Sequence, residues 1–138
     1  MENYIDRYSS SFIGRYEDKV ENQFYWYIRP QETGNKTDVR WLALLNSEGE
    51  GVKITGLQPI AFSALHFSPE DLDPGLTRKL QHTIDIVPQK NIFLHVDLKQ
   101  RGLGGDNSWG MYPYNKYRLL DKKYVYSYMI ELAEKGSD

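Results

Sequence analysis

A chain of 138 residues with a formal net charge of −2 is long enough for one domain with a buried core, and it carries no basic footprint for nucleic acid or an anionic membrane surface. A hydrophobic content of 40% excludes a wholly disordered chain, and the absence of cysteine removes disulfides, thiolate metal sites and cysteine nucleophiles together. No apolar run is long enough to cross a bilayer as a helix, and Met1-Glu2-Asn3-Tyr4 lacks the basic-then-apolar order of a signal peptide; cytoplasm and periplasm are not distinguished.

In chain order, the sequence predicts short strands separated by turn chemistry. Phe12 to Val20, Gln23 to Arg29 and Val39 to Leu45 mix β-branched and aromatic residues, and Asn46-Ser47-Glu48-Gly49-Glu50-Gly51 supplies a hairpin turn before Val52-Lys53-Ile54-Thr55. Ile60 to His66 is a further strand. One helical start follows: Ser68 as N-cap, Pro69 at the first helical position and Asp71 three residues after the cap, with Pro74-Gly75 as the stop. His82 to Val87, Ile92 to Leu98, Tyr117 to Leu120 and Lys123 to Leu132 are read as strands, the last with Tyr124, Tyr126 and Tyr128 on one face, and Glu134 to Asp138 as a frayed polar tail. Many short strands with turns between them indicate an all-β antiparallel sandwich, one domain over residues 1–138 without repeat or linker. Aromatic residues reach 14%, and eleven are tyrosines, whose apolar ring and wet hydroxyl suit half-buried strands, domain interfaces and sugar sites alike.

Three groups of residues invite a chemical reading. Glu70, Asp71 and Asp73 are placed as first-turn helix charges and Asp97 alternates on a strand, so these carboxylates are assigned to capping and solvation. His66, His82 and His95 lie far apart with no two at ligand spacing, and no metal site is expected in this chain. Pro30-Gln31-Glu32-Thr33-Gly34-Asn35-Lys36-Thr37 reads as a structured corner, with Gly34 and Asn35 suited to positive φ and Glu32 within reach of Arg29 or Arg40; a sugar-facing pocket is the other reading. Tyr4, Asp6 and Arg7 pose the same choice between an Asp–Arg pair joining strands and a ligand contact.

The most informative segment is Arg101-Gly102-Leu103-Gly104-Gly105-Asp106-Asn107-Ser108-Trp109-Gly110. Glycines permit close backbone approach, and Asp106, Asn107 and Ser108 can bond their own backbone, so Gly104, Gly105 and these three residues shape a loop able to present one large indole. Trp109 then stands either as a sugar-stacking platform or folded back into the core.

This segment, with Glu2-Asn3-Tyr4-Ile5-Asp6-Arg7, Tyr27 to Trp41, Phe62 to Leu72, His82-Thr83 and Asp97, resembles the C-terminal domain of bacterial β-galactosidases of glycoside hydrolase family 2 over roughly residues 2 to 120. The resemblance implies an antiparallel β supersandwich similar to galactose mutarotase. In that family the Glu-Asn-Tyr-x-Asp-Arg motif lies well inside the domain, so the chain is expected to be an N-terminally truncated, C-terminal part of a β-galactosidase. A retaining glycosidase needs two carboxyl groups about 5 to 5.5 Å apart, which the family carries on a separate barrel. This chain alone is therefore expected to be inactive. Its partners would be the remaining domains of the parent enzyme, a galactoside at the outer subsite stacked on Trp109, and a second copy in a homo-oligomer. No cofactor is expected here, any magnesium or sodium the family uses belonging to other domains. Glu32, Arg40 and His66 would form a vestigial pocket, in which His66 or His95 with Glu32 mimics a mutarotase acid/base pair. The alternative is a stand-alone carbohydrate-binding sandwich module, with Trp109 and surface tyrosines as its platform; a purely structural assembly domain is a third reading.

Overall fold

The computed structural model describes residues 12–26, 33–73, 82–102 and 110–133. Its regular elements are almost all strands: β1 (Lys36–Leu45), β2 (Gly51–Leu65), β3 (Phe93–Asp97) and β4 (Tyr128–Ala133). One short helix, α1 (Pro69–Leu72), and 3-10 turns at Val20–Gln23, Thr83–Asp85 and Asn115–Tyr117 complete the set. The strands form an open antiparallel sheet in which β2 lies between β1 and β3 and also pairs with β4, the all-β, sandwich-like class expected from the sequence. Among the described residues no helix is long and apolar enough to cross a membrane.

The turn from β1 to β2 is built as its residues dictate. The Asn46 side-chain oxygen accepts from the Glu48 and Glu50 amides at 2.9 Å each, and Gly49 adopts φ 85°. Its N–H donates to the Asn46 carbonyl at 3.1 Å and the Asn46 N–H to Glu50 at 2.8 Å. A type I turn followed by a left-handed glycine is a common way to close a hairpin while keeping the twist of the strands.

Two expected strands prove to be one. Gly56 and Pro59 suggest a break between Thr55 and Ile60, yet β2 continues through both. Along residues 51–56 it pairs with β4, from Gly51↔Ala133 to Gly56↔Tyr128, and the Leu57 N–H extends the ladder to the Ser127 carbonyl at 3.0 Å. Proline cannot donate to a ladder. The Gln58 side chain takes over, donating to the Ser127 carbonyl at 3.1 Å and accepting from the Ser127 amide at 3.2 Å.

The described residues fall into two compact units, those within Met1–Asp38 and Ala61–Val96, and those within Val39–Ile60 and Asp97–Asp138. In the first, Leu65, Phe67 and Leu72 are buried together, with Phe24 and Ile86 half-buried against them. The Phe24 and Phe67 rings lie 4.4 Å apart, and Trp26 meets Phe24 edge-on at 4.8 Å. The corner at Thr33–Asn35 is stitched to the segment before it: the Thr33 hydroxyl accepts from the Tyr25 amide at 2.8 Å and donates to the Tyr25 carbonyl at 3.2 Å. Gly34, at φ 72°, sits where a side chain would strike the Gln23 carbonyl. A structured corner is what the sequence predicts there, although Pro30, Gln31 and Glu32 lie outside the described residues.

In the second unit Leu42, Ile54 and Ile60 are buried, and Lys53 lies over the Trp41 ring at 5.5 Å. β4 is exposed along most of its length, with Met129, Ile130 and Leu132 uncovered. The Tyr126 and Tyr128 rings are neighbours at 5.8 Å, in keeping with tyrosines that share a face. Tyr124 stands before the strand begins, its hydroxyl accepting from the Asp121 amide at 2.8 Å.

Three expected strands are not strands, and neither are residues 23–26 of the strand expected from Gln23 to Arg29, whose remainder lies outside the described residues. Residues 12–19 are irregular and run into the turn at Val20–Gln23; Thr83–Asp85 is a 3-10 turn inside the expected strand from His82 to Val87; and Asn115–Tyr117 turns where a strand was to begin at Tyr117. Local acceptors account for the first two. Asp18 takes bonds from the Lys19 amide at 2.8 Å, Asn22 at 2.7 Å and Gln23 at 2.9 Å, and Asp85 accepts from the His82 amide at 2.9 Å. A short side chain that satisfies nearby donors competes directly with a strand ladder.

Candidate functional site

Ser68 caps α1 as its sequence requires: its hydroxyl accepts from the Asp71 amide at 3.2 Å, and the Asp71 carboxylate accepts from the Ser68 amide at 2.8 Å. Gln89 joins this box by donating its side-chain amide to the same carboxylate oxygen. Its backbone N–H donates to the His66 carbonyl at 2.7 Å, and its carbonyl lies 2.9 Å from His66 Nδ1, with the Asn91 carbonyl at 3.2 Å. Both partners of Nδ1 are acceptors, so Nδ1 carries the proton in this arrangement. His66 and Asp71 thus lock the segment before β3 onto the end of β2 and the start of α1.

Burial pushes the Asp71 carboxyl up, but the Ser68 amide, the Gln89 amide and the Ser68 hydroxyl outweigh it, and the group is held below its ordinary value of 3.8. A carboxylate lowered on folding contributes stability that is complete above the ordinary value and is lost as the pH falls below 3.8 through the lowered one. Asp71→Ala should therefore cost about 1 kcal/mol or less at pH 6 and progressively less than that at pH 3. Urea midpoints of both proteins at the two pH values measure it; an equal cost at both would show that the charge takes no part.

Below this lock a small hollow of about 80 Å³ is lined by Ser63, Leu65, Phe67, Pro69, Leu72, Phe93 and His95. Ligand pockets run to about 300 Å³ and more. The hollow is a packing defect at the edge of the core, with His95 exposed at its rim, and is too small to receive a pyranose. Among the described residues no three His, Asp or Glu side chains are grouped to hold a metal ion.

The sequence-derived site residues are dispersed. Arg40 is exposed on β1 in the second unit, and His66 is half-buried in the first, committed through Nδ1 as described. Glu32, Gly104, Gly105, Asp106, Asn107, Ser108 and Trp109 lie outside the described residues. The residues on either side of that last segment are described. Gly102 donates its N–H to the Tyr117 carbonyl at 2.7 Å, and Tyr112 lies under the Arg118 guanidinium at 4.4 Å. The sequence reading gave Tyr112, Tyr117 and Arg118 no site role, Tyr117 and Arg118 being expected only as the start of a strand, because the Gly102–Tyr117 hydrogen bond joins residues distant in sequence.

An open antiparallel sheet with one capped helical turn, in a tyrosine-rich chain, describes a class of β domain and no single protein. The chain belongs to the β-galactosidase small chain family, whose profile matches residues 1–130. It is 36% identical over 118 residues to a β-galactosidase of Priestia megaterium, covering 86% of this chain and 11% of that protein. It is 32% identical over 132 residues to a β-galactosidase of Streptococcus thermophilus, covering 94% and 12%. A β-galactosidase of Vibrio cholerae is 30% identical over 125 residues, covering 91% and 11%. The chain spans only 11 to 12% of the length of these relatives.

Proposed function

We propose that the chain completes the active-site mouth of a β-galactosidase and supports its assembly, while the carboxylates that cleave the galactosidic bond stand in other parts of the enzyme. The observation that carries this reading is family membership over residues 1–130 in a chain that spans 11 to 12% of each relative. In this reading Trp109 stacks on the sugar in the outer subsite, where the glucose half of lactose or another aglycone waits. Gly104, Gly105, Asp106, Asn107 and Ser108 set its position. The apolar indole covers the C–H face of a pyranose, and a separate barrel holds the galactosyl unit. A supersandwich of the galactose mutarotase kind is the fold this reading implies. The uncovered apolar side chains of β4 are consistent with it, since such side chains are ordinarily covered by a partner.

The test compares the purified chain with the whole β-galactosidase of which it is a part. Alone, the chain should not hydrolyse a chromogenic β-galactoside above background. Turnover that survives repurification and is abolished by replacing Glu32 or His66 would overturn the reading. Sugar titration of the same sample addresses the alternative: a stand-alone carbohydrate-binding module binds galactosides by itself, whereas a contributor to an outer subsite binds them weakly or not at all.

A further inference from the structure

The net charge of −2 is unevenly distributed along the chain. Residues 97–126 hold six cations, Lys99, Arg101, Lys116, Arg118, Lys122 and Lys123, against three carboxylates, Asp97, Asp106 and Asp121, so this stretch stands at +3 and the rest of the chain at −5. The fold gathers the excess. The Gly102 N–H donates to the Tyr117 carbonyl at 2.7 Å, and Lys99 Nζ lies 5.3 Å from the centre of the Tyr124 ring, which brings the segment with Lys99 and Arg101 alongside the one from Lys116 to Lys123. Within the latter, Lys116 Nζ lies 4.6 Å from the centre of the Tyr117 ring, and the Arg118 guanidinium lies 4.4 Å from that of Tyr112. Among the described residues no carboxylate forms an ion pair with any of the six. Arg118 is half-buried and the other five are exposed. A cation resting on a tyrosine ring keeps its charge and loses freedom, so less entropy is left to lose when a ligand arrives.

We propose that this surface of the second unit binds an acidic polysaccharide, one whose galactose-type units carry carboxylate groups. The choice of sugar rests on the reading that the chain is part of an enzyme of galactosides, whereas the choice of charge rests on the patch alone. Tyr112 is 66% and Tyr117 52% exposed, so each ring still presents open apolar surface next to a cation. A ring for the C–H face of a pyranose, beside a cation for its carboxylate, is the complement of a uronic acid unit. Arg118 adds direction, because it donates to the Asn115 side-chain oxygen at 3.3 Å through Nη1 alone and keeps its other N–H groups for a carboxylate. The acidic remainder of the chain does not cancel this field, since charges act over about one Debye length, roughly 8 Å at physiological ionic strength. An acidic peptide would supply the charge without the pyranose face. A neutral galactan would supply the face without the charge.

The experiment titrates the full chain at low salt with polygalacturonate, with a neutral galactan and with polyglutamate, recording circular dichroism for every variant. Polygalacturonate should bind, and a rise in salt of about fourfold should weaken it about tenfold, because binding releases counterions from the polymer. Arg118→Ala should weaken binding about five- to tenfold, the worth of a charge-assisted hydrogen bond. Arg118→Lys should recover only part of that, since an ammonium lacks the planar fork. Lys90→Ala, at an exposed cation of the first unit, should change nothing. If Arg118→Ala disturbs the fold, Lys99→Ala combined with Lys116→Ala takes its place. No binding of polygalacturonate, or an equal loss from Lys90→Ala, overturns the site. Neutral galactan binding as tightly overturns the role of charge, and polyglutamate binding as tightly assigns the surface to an acidic protein and overturns the sugar. All of these results leave the outer-subsite reading standing, because that reading is tested with neutral lactose in the whole enzyme.

Discussion

Phe67→Ala should unfold the first unit under conditions in which the unsubstituted chain is folded. Phe67 is 5% exposed and sits at the centre of the small core it shares with Leu65 and Leu72, its ring against that of Phe24. Removing a buried phenylalanine ring costs about 3 to 5 kcal/mol, from lost transfer free energy and the cavity left behind. The site is badly placed to relax, because Phe67 already lines a hollow of about 80 Å³ and a larger void would open into it. Whole domains are stable by only about 5 to 15 kcal/mol, so one ring is a large share of the total. Phe67→Leu should retain most of the buried area and cost less than half as much. Leu57→Ala, at a side chain 79% exposed on β2, should stay within about 0.5 kcal/mol. Urea unfolding followed by far-ultraviolet circular dichroism measures all three. A loss below about 1 kcal/mol for Phe67→Ala would mean that the ring is not part of a core at all.

Phe67 also marks how far the sequence could be read. The elements specified by neighbouring residues were legible: the box from Ser68 to Asp71, the turn around Asn46 and Gly49, and the strands from Val39, from Ile92 and into Leu132. Each follows from a cap, a left-handed glycine or an apolar run within a few residues. Where the deciding partner lay close by but was a side chain rather than a pattern, the reading failed. Phe12 to Val20 has the composition of a strand, yet Asp18 satisfies the donors around it and the chain turns. The continuity of β2 across Pro59 was hidden for the opposite reason, since Gln58 bonds to Ser127, sixty-nine residues away. At the candidate site the glycines around Trp109 announced an unusual loop, but only the resemblance to β-galactosidases attached a sugar to it. The need for glycine at position 102 comes from Tyr117, on the far side of the loop, and no local pattern encodes it.

Trp109→Ala in the whole enzyme should separate affinity from stability. If the indole lies over the outer sugar, stacking supplies contact area and a quadrupole attraction that are shared by ground and transition states. Binding of that kind lowers KM without accelerating bond cleavage. Its loss should then raise KM for lactose by roughly five- to tenfold, equivalent to about 1 to 1.4 kcal/mol, and weaken capture of glucose as an acceptor. The rate of galactosyl transfer from an activated galactoside should change much less. Inhibitors that resemble the galactosyl transition state should lose less affinity than lactose, because their contacts lie deeper. Trp109→Phe keeps a smaller aromatic face and should fall between the two. A tryptophan folded into the core predicts the reverse pattern: a cavity that lowers melting temperature by several degrees or more, with KM of the folded enzyme unchanged. Both quantities are read from the same preparation, and reduced stability at constant lactose affinity would remove Trp109 from the site and leave the chain with a structural role.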